Sequence, residues 1–301
     1  KARIKILVKA LGPERFRELT EAEFAELKDG SMTLTEDEVA RIRECFTAPA
    51  YRDGQDTGAV DRALDENRAF NRWYHTNTRA HKRDGYRSVT LTLKKTGRIP
   101  GDVSDEQLEA IADLADRYSF GELRNTHQQN MVLSDVATDD LFELWEKLDA
   151  LGMATPNLGL LTDIVACPGG DLCALANAKS VPVAEGIQRR FDDMDYVHDL
   201  GPLDINISGC MNACGHHHIG HIGILGVDKK GKEFYQITLG GRGDKLSRIG
   251  EKMGPSFESY EVTDVIEKII NVYVDKRLEN EPFIDTYERI GMEPFKEHVY
   301  G

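Results

Sequence analysis

The sequence predicts an α+β fold, and three observations carry that reading. Residues 1–80 hold apolar stripes at helical spacing. Residues 86–152 alternate strand and helix signals in the order β-α-β-β-α. Four of the five cysteines then gather between Cys167 and Cys214 in glycine-rich sequence, and further strand signals follow.

A chain of 301 residues can bury a sizeable core and hold about two domains, and an apolar content of 40% is that of an ordinary globular protein. A net charge of -14 argues against a phosphate-backbone binder, so nucleic acid is not an expected partner. No apolar run approaches the roughly 20 residues needed to cross a bilayer. The opening KARIKILVKALG is too short and too interrupted for a signal peptide, so no membrane partner and a cytoplasmic location are expected. That opening reads as the middle of an amphipathic helix, as in a piece of something longer.

Three segments are expected. Residues 1–80 form a helical tail of a preceding lobe, 81–153 a ferredoxin-like half-repeat, and 154–301 a lobe built around the cysteines. In the first, Phe16, Leu19, Phe24 and Leu27 mark one stripe and Val39, Ile42 and Phe46 another, with Cys45 on the second as a small buried hydrophobe. Tyr51–Phe70 reads as a loop leading into a helix, and His75 and His81 as surface residues.

From Arg87 the period becomes two. Val89, Leu91 and Leu93 face a core, while Thr90, Thr92 and Lys94 face outward. Ser104 and Gln107 form a capping box for a helix whose apolar face is Leu108, Ile111, Ala112 and Ala115. Short strands around Leu123 and Val132 precede a helix carrying Leu141, Leu144, Trp145 and Leu148, which stops near Gly152. This β-α-β-β-α order is part of a ferredoxin-like layer, and one copy leaves a sheet edge exposed. Strands near Ile205, Ile224 and Ile237 and a helix near Val265–Val274 complete the chain.

The cysteines run Cys167-x5-Cys173 and Cys210-x3-Cys214, with Gly or Pro beside most of them. Thiolates at this density suit an iron–sulfur cluster, zinc or Cu(I). Structural zinc pairs its cysteines at shorter gaps, and an odd, sparse cysteine count speaks against a disulfide framework, so iron–sulfur is preferred.

The stretches GELRNTHQQNMVL, ACPGGDLCALA and ISGCMNACGHHHIGHIGILG resemble the assimilatory sulfite and nitrite reductases that carry sirohaem and a [4Fe–4S] cluster. The resemblance runs from about Arg79 to the end of the chain. It implies that Cys167, Cys173, Cys210 and Cys214 hold the cluster and that Cys214 also bridges to sirohaem iron. It places Asn212, His216, Arg124, Gln129 and Asn130 near the macrocycle. It further implies six-electron reduction of sulfite to sulfide, with nitrite as the alternative substrate, by a chain corresponding to the C-terminal half of such an enzyme. The basic residues that grip substrate would come from the missing half, and this chain shows no stand-in for them. Self-association, or pairing with that half, is expected to complete the site. An acidic chain repels an acidic ferredoxin at long range, so a flavoprotein reductase is the first expectation for the electron donor and ferredoxin the second. A cluster- or zinc-binding module without catalysis is the alternative from another class.

The run His216, His217, His218 and His221 invites a metal, yet its position after the cysteines favours lining a cofactor pocket. Asp163 and Asp171 are expected to cap turns. Arg189, Arg190 and Arg242 read as solvated charges able to pair with cofactor carboxylates.

Overall fold

A computed structural model describes residues 3–31, 33–54 and 58–301. It separates into two compact units, one ending at Tyr51 and one beginning at Arg52.

The first unit holds α1 (Ile4–Leu11), α2 (Pro13–Leu27) and α3 (Glu36–Glu44). Pro13 opens α2 where its missing N–H loses no helical bond. The Thr35 hydroxyl accepts from the Glu38 backbone N–H and so caps α3. None of the three helices buries a residue, and Phe24 on the expected stripe is 60% exposed. Cys45 corrects the expectation of a core cysteine: it is exposed, its thiol directed at the Arg41 carbonyl 3.7 Å away. Three short helices enclose too little volume to form a core of their own. Lys1 and Ala2, at the start of the expected amphipathic helix, lie outside the described residues.

The second unit begins with α4 (Gly58–Glu66) and α5 (Arg68–Asn77). Gln55, Asp56 and Thr57, in the expected loop after Tyr51, lie outside the described residues. A four-stranded antiparallel sheet follows, built from β1 (Thr78–Ala80), β2 (Tyr86–Leu91), β3 (Leu123–Asn125) and β4 (Met131–Ala137) in the order β1-β2-β4-β3. Between its strands run α6 (Asp105–Tyr118) and, after β4, α7 (Leu141–Ala150). Val60, Phe70 and Trp73 from α4 and α5 share one core with Val89 and Leu91 of β2, Ile111 of α6 and Leu144 of α7. The Ser104–Gln107 capping box forms as expected. The buried face of α6 is set one step round from the expected one: Ile111, Leu114, Ala115 and Tyr118 point inward, and Leu108 is 45% exposed. His81, expected at the surface, is half-buried with its Nε2 3.4 Å from an Asp135 carboxylate oxygen.

The remaining elements are β5 (Val165–Ala166), α8 (Val181–Arg190), α9 (Met194–Leu200), β6 (Ile205–Ser208), β7 (Ile222–Lys229), β8 (Lys232–Leu239), β9 (Glu251–Lys252), α10 (Val262–Lys276), α11 (Phe283–Ile290) and α12 (Glu293–Tyr300). Their sheet runs β5-β6-β7-β8-β9, parallel from β5 to β7 and antiparallel from there on. Ile205, Ile207, Ile222 and Ile224 pack with Ile266, Ile269 and Ile270 of α10 and with Phe283 and Phe295. All of β6 and the first three residues of β7 are buried, so this part of the sheet is covered on both faces. The protein is thus α+β, with an antiparallel half-repeat followed by a mixed α/β lobe.

The two sheets are tied together by residues just beyond the end of β2. Thr92 and Lys94, expected to face outward, are both 0% exposed. Past Leu91 the chain leaves its sheet and runs against the second lobe. There Thr92 Oγ1 donates to the Thr155 carbonyl at 2.7 Å, and Lys94 Nζ donates to the Gln128 carbonyl at 2.8 Å and to Asp163 Oδ1 at 3.2 Å. Asp163 also accepts from Asn130 Nδ2 and from the Gly159 N–H. Burial pulls the Lys94 pKa down and the Asp163 carboxylate opposes the shift. Removing one partner of such a pair strands the other charge. Asp163→Ala is therefore expected to lower unfolding free energy by roughly 3–5 kcal/mol in urea titrations. A loss below about 1 kcal/mol would mean that Lys94 is neutral in the fold.

Candidate functional site

Two adjacent parallel strands deliver the cysteines. Cys167 follows the last residue of β5, and Cys210 lies just past the end of β6. Their strands pair Val165 with Asn206 and Ala166 with Ile207, so both cysteine loops leave the same carboxyl edge. That edge is where open α/β sheets place ligands, because the loops diverge there and leave a crevice.

Hydrogen bonds knit the loops to one another. The Cys167 N–H donates to the Ile207 carbonyl at 3.1 Å, and the Gly209 carbonyl accepts from both Asn177 and Ala178 N–H groups at 2.8 and 3.0 Å. The Cys173 N–H donates to the Gly169 carbonyl. The Gly215 N–H donates to Ser208 Oγ at 3.1 Å. A Cβ on Gly215 would sit 1.9 Å from the Ile207 carbonyl oxygen, and one on Gly209 would sit 2.6 Å from that of Ala178. Only glycine permits these approaches.

All four cysteines are free thiols. Cys167 and Cys210 are buried, Cys173 is half-buried and Cys214 is exposed. Among the described residues no three His, Cys, Asp or Glu side chains are placed to hold a single metal ion. A cubane spreads its ligands over four iron corners and so needs wider separations than one ion does. Four unpaired thiols on mutually bonded glycine loops fit that donor set.

The other expected residues divide. Gln129, at φ 59°, donates from Nε2 to the Ala166 carbonyl at 2.7 Å and accepts from the Ala166 N–H at 3.0 Å. Asn130 is buried, accepting from the Leu93 N–H and donating to Asp163. Gln129 thus holds the backbone leading to Cys167 and Asn130 ties the extension of β2 to Asp163, where the resemblance implied contact with the macrocycle. Arg124 is exposed and forks onto Glu122. Asn212 and His216 are exposed on the second cysteine loop, His216 at φ 54°. Asp163 accepts the Gly159 N–H, which caps a turn as expected, while its other oxygen faces Lys94 and Asn130. Asp171 pairs with Lys179 at 2.9 Å. Arg190 bridges α8 to Asp264 and Glu267 of α10, and Arg242 is held by Asp244 and Glu288.

The four histidines do not converge. His217 is buried with its ring 3.9 Å from that of His218, and its Nδ1 has no hydrogen-bond partner. His216 and His221 instead line a cavity of about 430 Å³ together with Arg79, His127, Asp163, Asp204 and Asp244. His221 Nδ1 accepts from the Asp204 N–H at 3.2 Å. Arg79 and His127 were not singled out in the sequence. Only the fold brings them to this cavity, Arg79 from β1 and His127 from the turn between β3 and β4.

Comparison with known proteins gives a consistent answer. Residues 80–151 match the nitrite/sulfite reductase ferredoxin-like half domain, and residues 160–301 match the nitrite and sulphite reductase 4Fe-4S domain. The chain belongs to the nitrite and sulfite reductase family. The cofactors of that family are a [4Fe–4S] cluster and sirohaem. The protein named sulfite reductase (ferredoxin) 2 of Mycolicibacterium paratuberculosis is 30% identical over 293 residues, covering 94% of this chain and 46% of that one. The chloroplastic ferredoxin–nitrite reductase of Zea mays is 28% identical over 235 residues, covering 71% of this chain and 38% of its own. The chain thus spans about half the length of the curated relatives it matches. Among solved structures, the NirA protein of Mycobacterium tuberculosis superposes with TM-score 0.63 at 27% identity, over 98% of this chain and 49% of that one. Dissimilatory sulfite reductase I shares the fold with TM-score 0.60 at 14% identity, over 87% of this chain and 90% of its own. Among the described residues no helix is long and apolar enough to cross a membrane.

Burial, and then the neighbouring His218, hold the His217 pKa down to about 4. Its unfolded value is 6.5, so between these two the unfolded chain binds the extra proton. Stability should therefore fall as pH is lowered from about 6.5 towards 4. Denaturant midpoints measured across that window should flatten in His217→Leu, and an equal slope in the variant would place the titration elsewhere.

Proposed function

We propose that the chain is the cluster-bearing half of a sirohaem-dependent sulfite reductase, with Cys167, Cys173, Cys210 and Cys214 as ligands of one [4Fe–4S] cluster. The observation that carries this is the delivery of both cysteine pairs from one edge of β5 and β6 by loops bonded to each other. Cys214 is the exposed thiol of the four, which suits a sulfur shared between the cluster and sirohaem iron. Asn212, His216 and Arg124 lie on exposed surface able to meet the macrocycle, while Gln129 acts one step back, on the backbone before Cys167, and Asn130 acts through Asp163. When bound, the sirohaem and cluster supply the six-electron reduction of sulfite to sulfide. The chain's own residues orient Cys214, bury the inner thiolates and fix the loop geometry.

Replacing Cys173 with serine should remove most of the iron bound by the purified chain. Retention of four irons with an unchanged EPR spectrum would overturn the ligand set. Visible spectroscopy separates the rival classes, since sirohaem gives strong bands, a cluster alone a broad brown absorption, and a zinc module neither. Sulfite is preferred over nitrite because the sulfite reductase of Mycolicibacterium paratuberculosis aligns over 94% of this chain and the nitrite reductase of Zea mays over 71%, and the ratio of turnover with the two anions tests that choice.

The relatives are named for ferredoxin, which supports ferredoxin as the electron donor here. The net charge of -14 favours a flavoprotein reductase instead. Steep loss of rate with salt in assays driven by ferredoxin would favour ferredoxin docked through a local basic patch.

Arg79 is the single Arg or Lys among the residues lining the cavity, and its guanidinium donates to the His75, Thr76 and Thr78 carbonyls. Sirohaem is a polycarboxylate, and burying its charges without cations is costly. The 301-residue chain alone is therefore expected to lack sulfite turnover until a second copy or a complementary half supplies basic side chains. Stoichiometric sirohaem binding and turnover by a monomer would overturn this.

A further inference from the structure

Resting on the ligand reading above, we infer that Ser180 sets the reduction potential of the cluster by donating a hydrogen bond to the sulfur of Cys167. Ser180 Oγ lies 3.4 Å from Cys167 Sγ. The same sulfur receives the Gly209 N–H at 3.1 Å. Cys167 is 7% exposed and Ser180 is fully buried, so neither donor competes with water for that sulfur. A metal-bound thiolate carries no proton, so the hydroxyl is the donor in this contact.

The position of Ser180 makes the contact informative. It is the N-cap residue of α8, where a serine oxygen usually accepts an N–H from the first turn. This one makes no capping bond, and Pro182 in that first turn has no N–H to offer. The hydroxyl is instead directed at the sulfur. The surrounding backbone walls it in: a Cβ on Gly209 would come within 3.1 Å of Ser180 Oγ, and one on Gly169 within 2.8 Å. The Ser180 hydroxyl therefore lies against the backbone of both cysteine loops.

Hydrogen bonds to cluster sulfurs favour the form with more negative charge, which raises the reduction potential. In a chain of net charge -14, donors aimed at a buried thiolate oppose the repulsion felt by an incoming electron. Gly209 supplies one such donor through the backbone, and Ser180 supplies the one that a side-chain substitution can remove.

The test uses the full 301-residue chain, reconstituted anaerobically with iron and sulfide, and Ser180→Ala and Ser180→Thr treated identically. Iron content is measured first, and the midpoint potential is then followed by EPR-monitored titration. The expected result is four irons in all three proteins, a more negative midpoint in Ser180→Ala, and a midpoint restored towards the parent in Ser180→Thr. An unchanged midpoint in iron-replete Ser180→Ala overturns the inference alone. Loss of iron in that variant also overturns it, leaving Ser180 an assembly residue, as does a Thr variant shifted as far as the Ala variant. Failure of the unmodified chain to bind iron overturns the ligand reading itself.

Discussion

The two-residue parallel pairing of β5 with β6 is the contact on which the site depends. It is short for a strand pair, and parallel pairing is the weaker kind per residue. Supports therefore surround it. The Gln129 amide closes on both polar groups of Ala166, the Cys167 N–H reaches the Ile207 carbonyl, and Gly209 collects two N–H groups from the first cysteine loop. Behind the strands, Ile205 and Ile207 pack into the core that α10 covers. Cysteines far apart in sequence become neighbours because each of these bonds removes freedom from the loops before any iron arrives.

Electrostatics sort the same region into two kinds of place. Lys94 and Asp163 form an internal pair whose remaining bonds go to Gln128, Asn130 and Gly159, so the charge is matched where water is absent. A few residues away the cavity is lined by Asp204, Asp244 and Arg79, with His127, His216 and His221 among the other lining residues. The first arrangement fastens one lobe to the other. The second borders open space, with Asp244 paired to Arg242 and Asp204 beside His221.

Much of this was legible in the sequence because the signals were local. The Ser104–Gln107 capping box, the alternation of Val89 and Leu91 and the stop at Gly152 each depend on neighbours along the chain, and each formed. The cysteine spacing pointed to an iron–sulfur ligand set, and the family matches cover both lobes. Lys94 was misread because alternation predicts facing only while a residue stays in its sheet, and the second lobe closes over the strand's extension. Leu108 was misplaced because a helix with apolar residues on two adjoining stripes has two admissible faces. Cys45 sat on an apolar stripe, but α3, which carries that stripe, buries none of its residues. Ser180 carried no signal at all, since a serine before a helix reads as a cap and only the position of Cys167 shows otherwise.

The connection from β6 to β7 has a further consequence. Parallel neighbours are usually joined through a helix that packs back on the sheet, whereas residues 209–221 make this crossing with the second cysteine pair and the histidines. The eight-residue antiparallel hairpin of β7 and β8 begins directly after it. Loop length and hairpin register are therefore one variable. A single residue inserted between Cys214 and Ile222 would have to bulge out of a loop that Gly215 already presses against Ile207, or else slide β7 by one place and turn Ile222 and Ile224 out of the core. The length of the segment is fixed by the strands on either side.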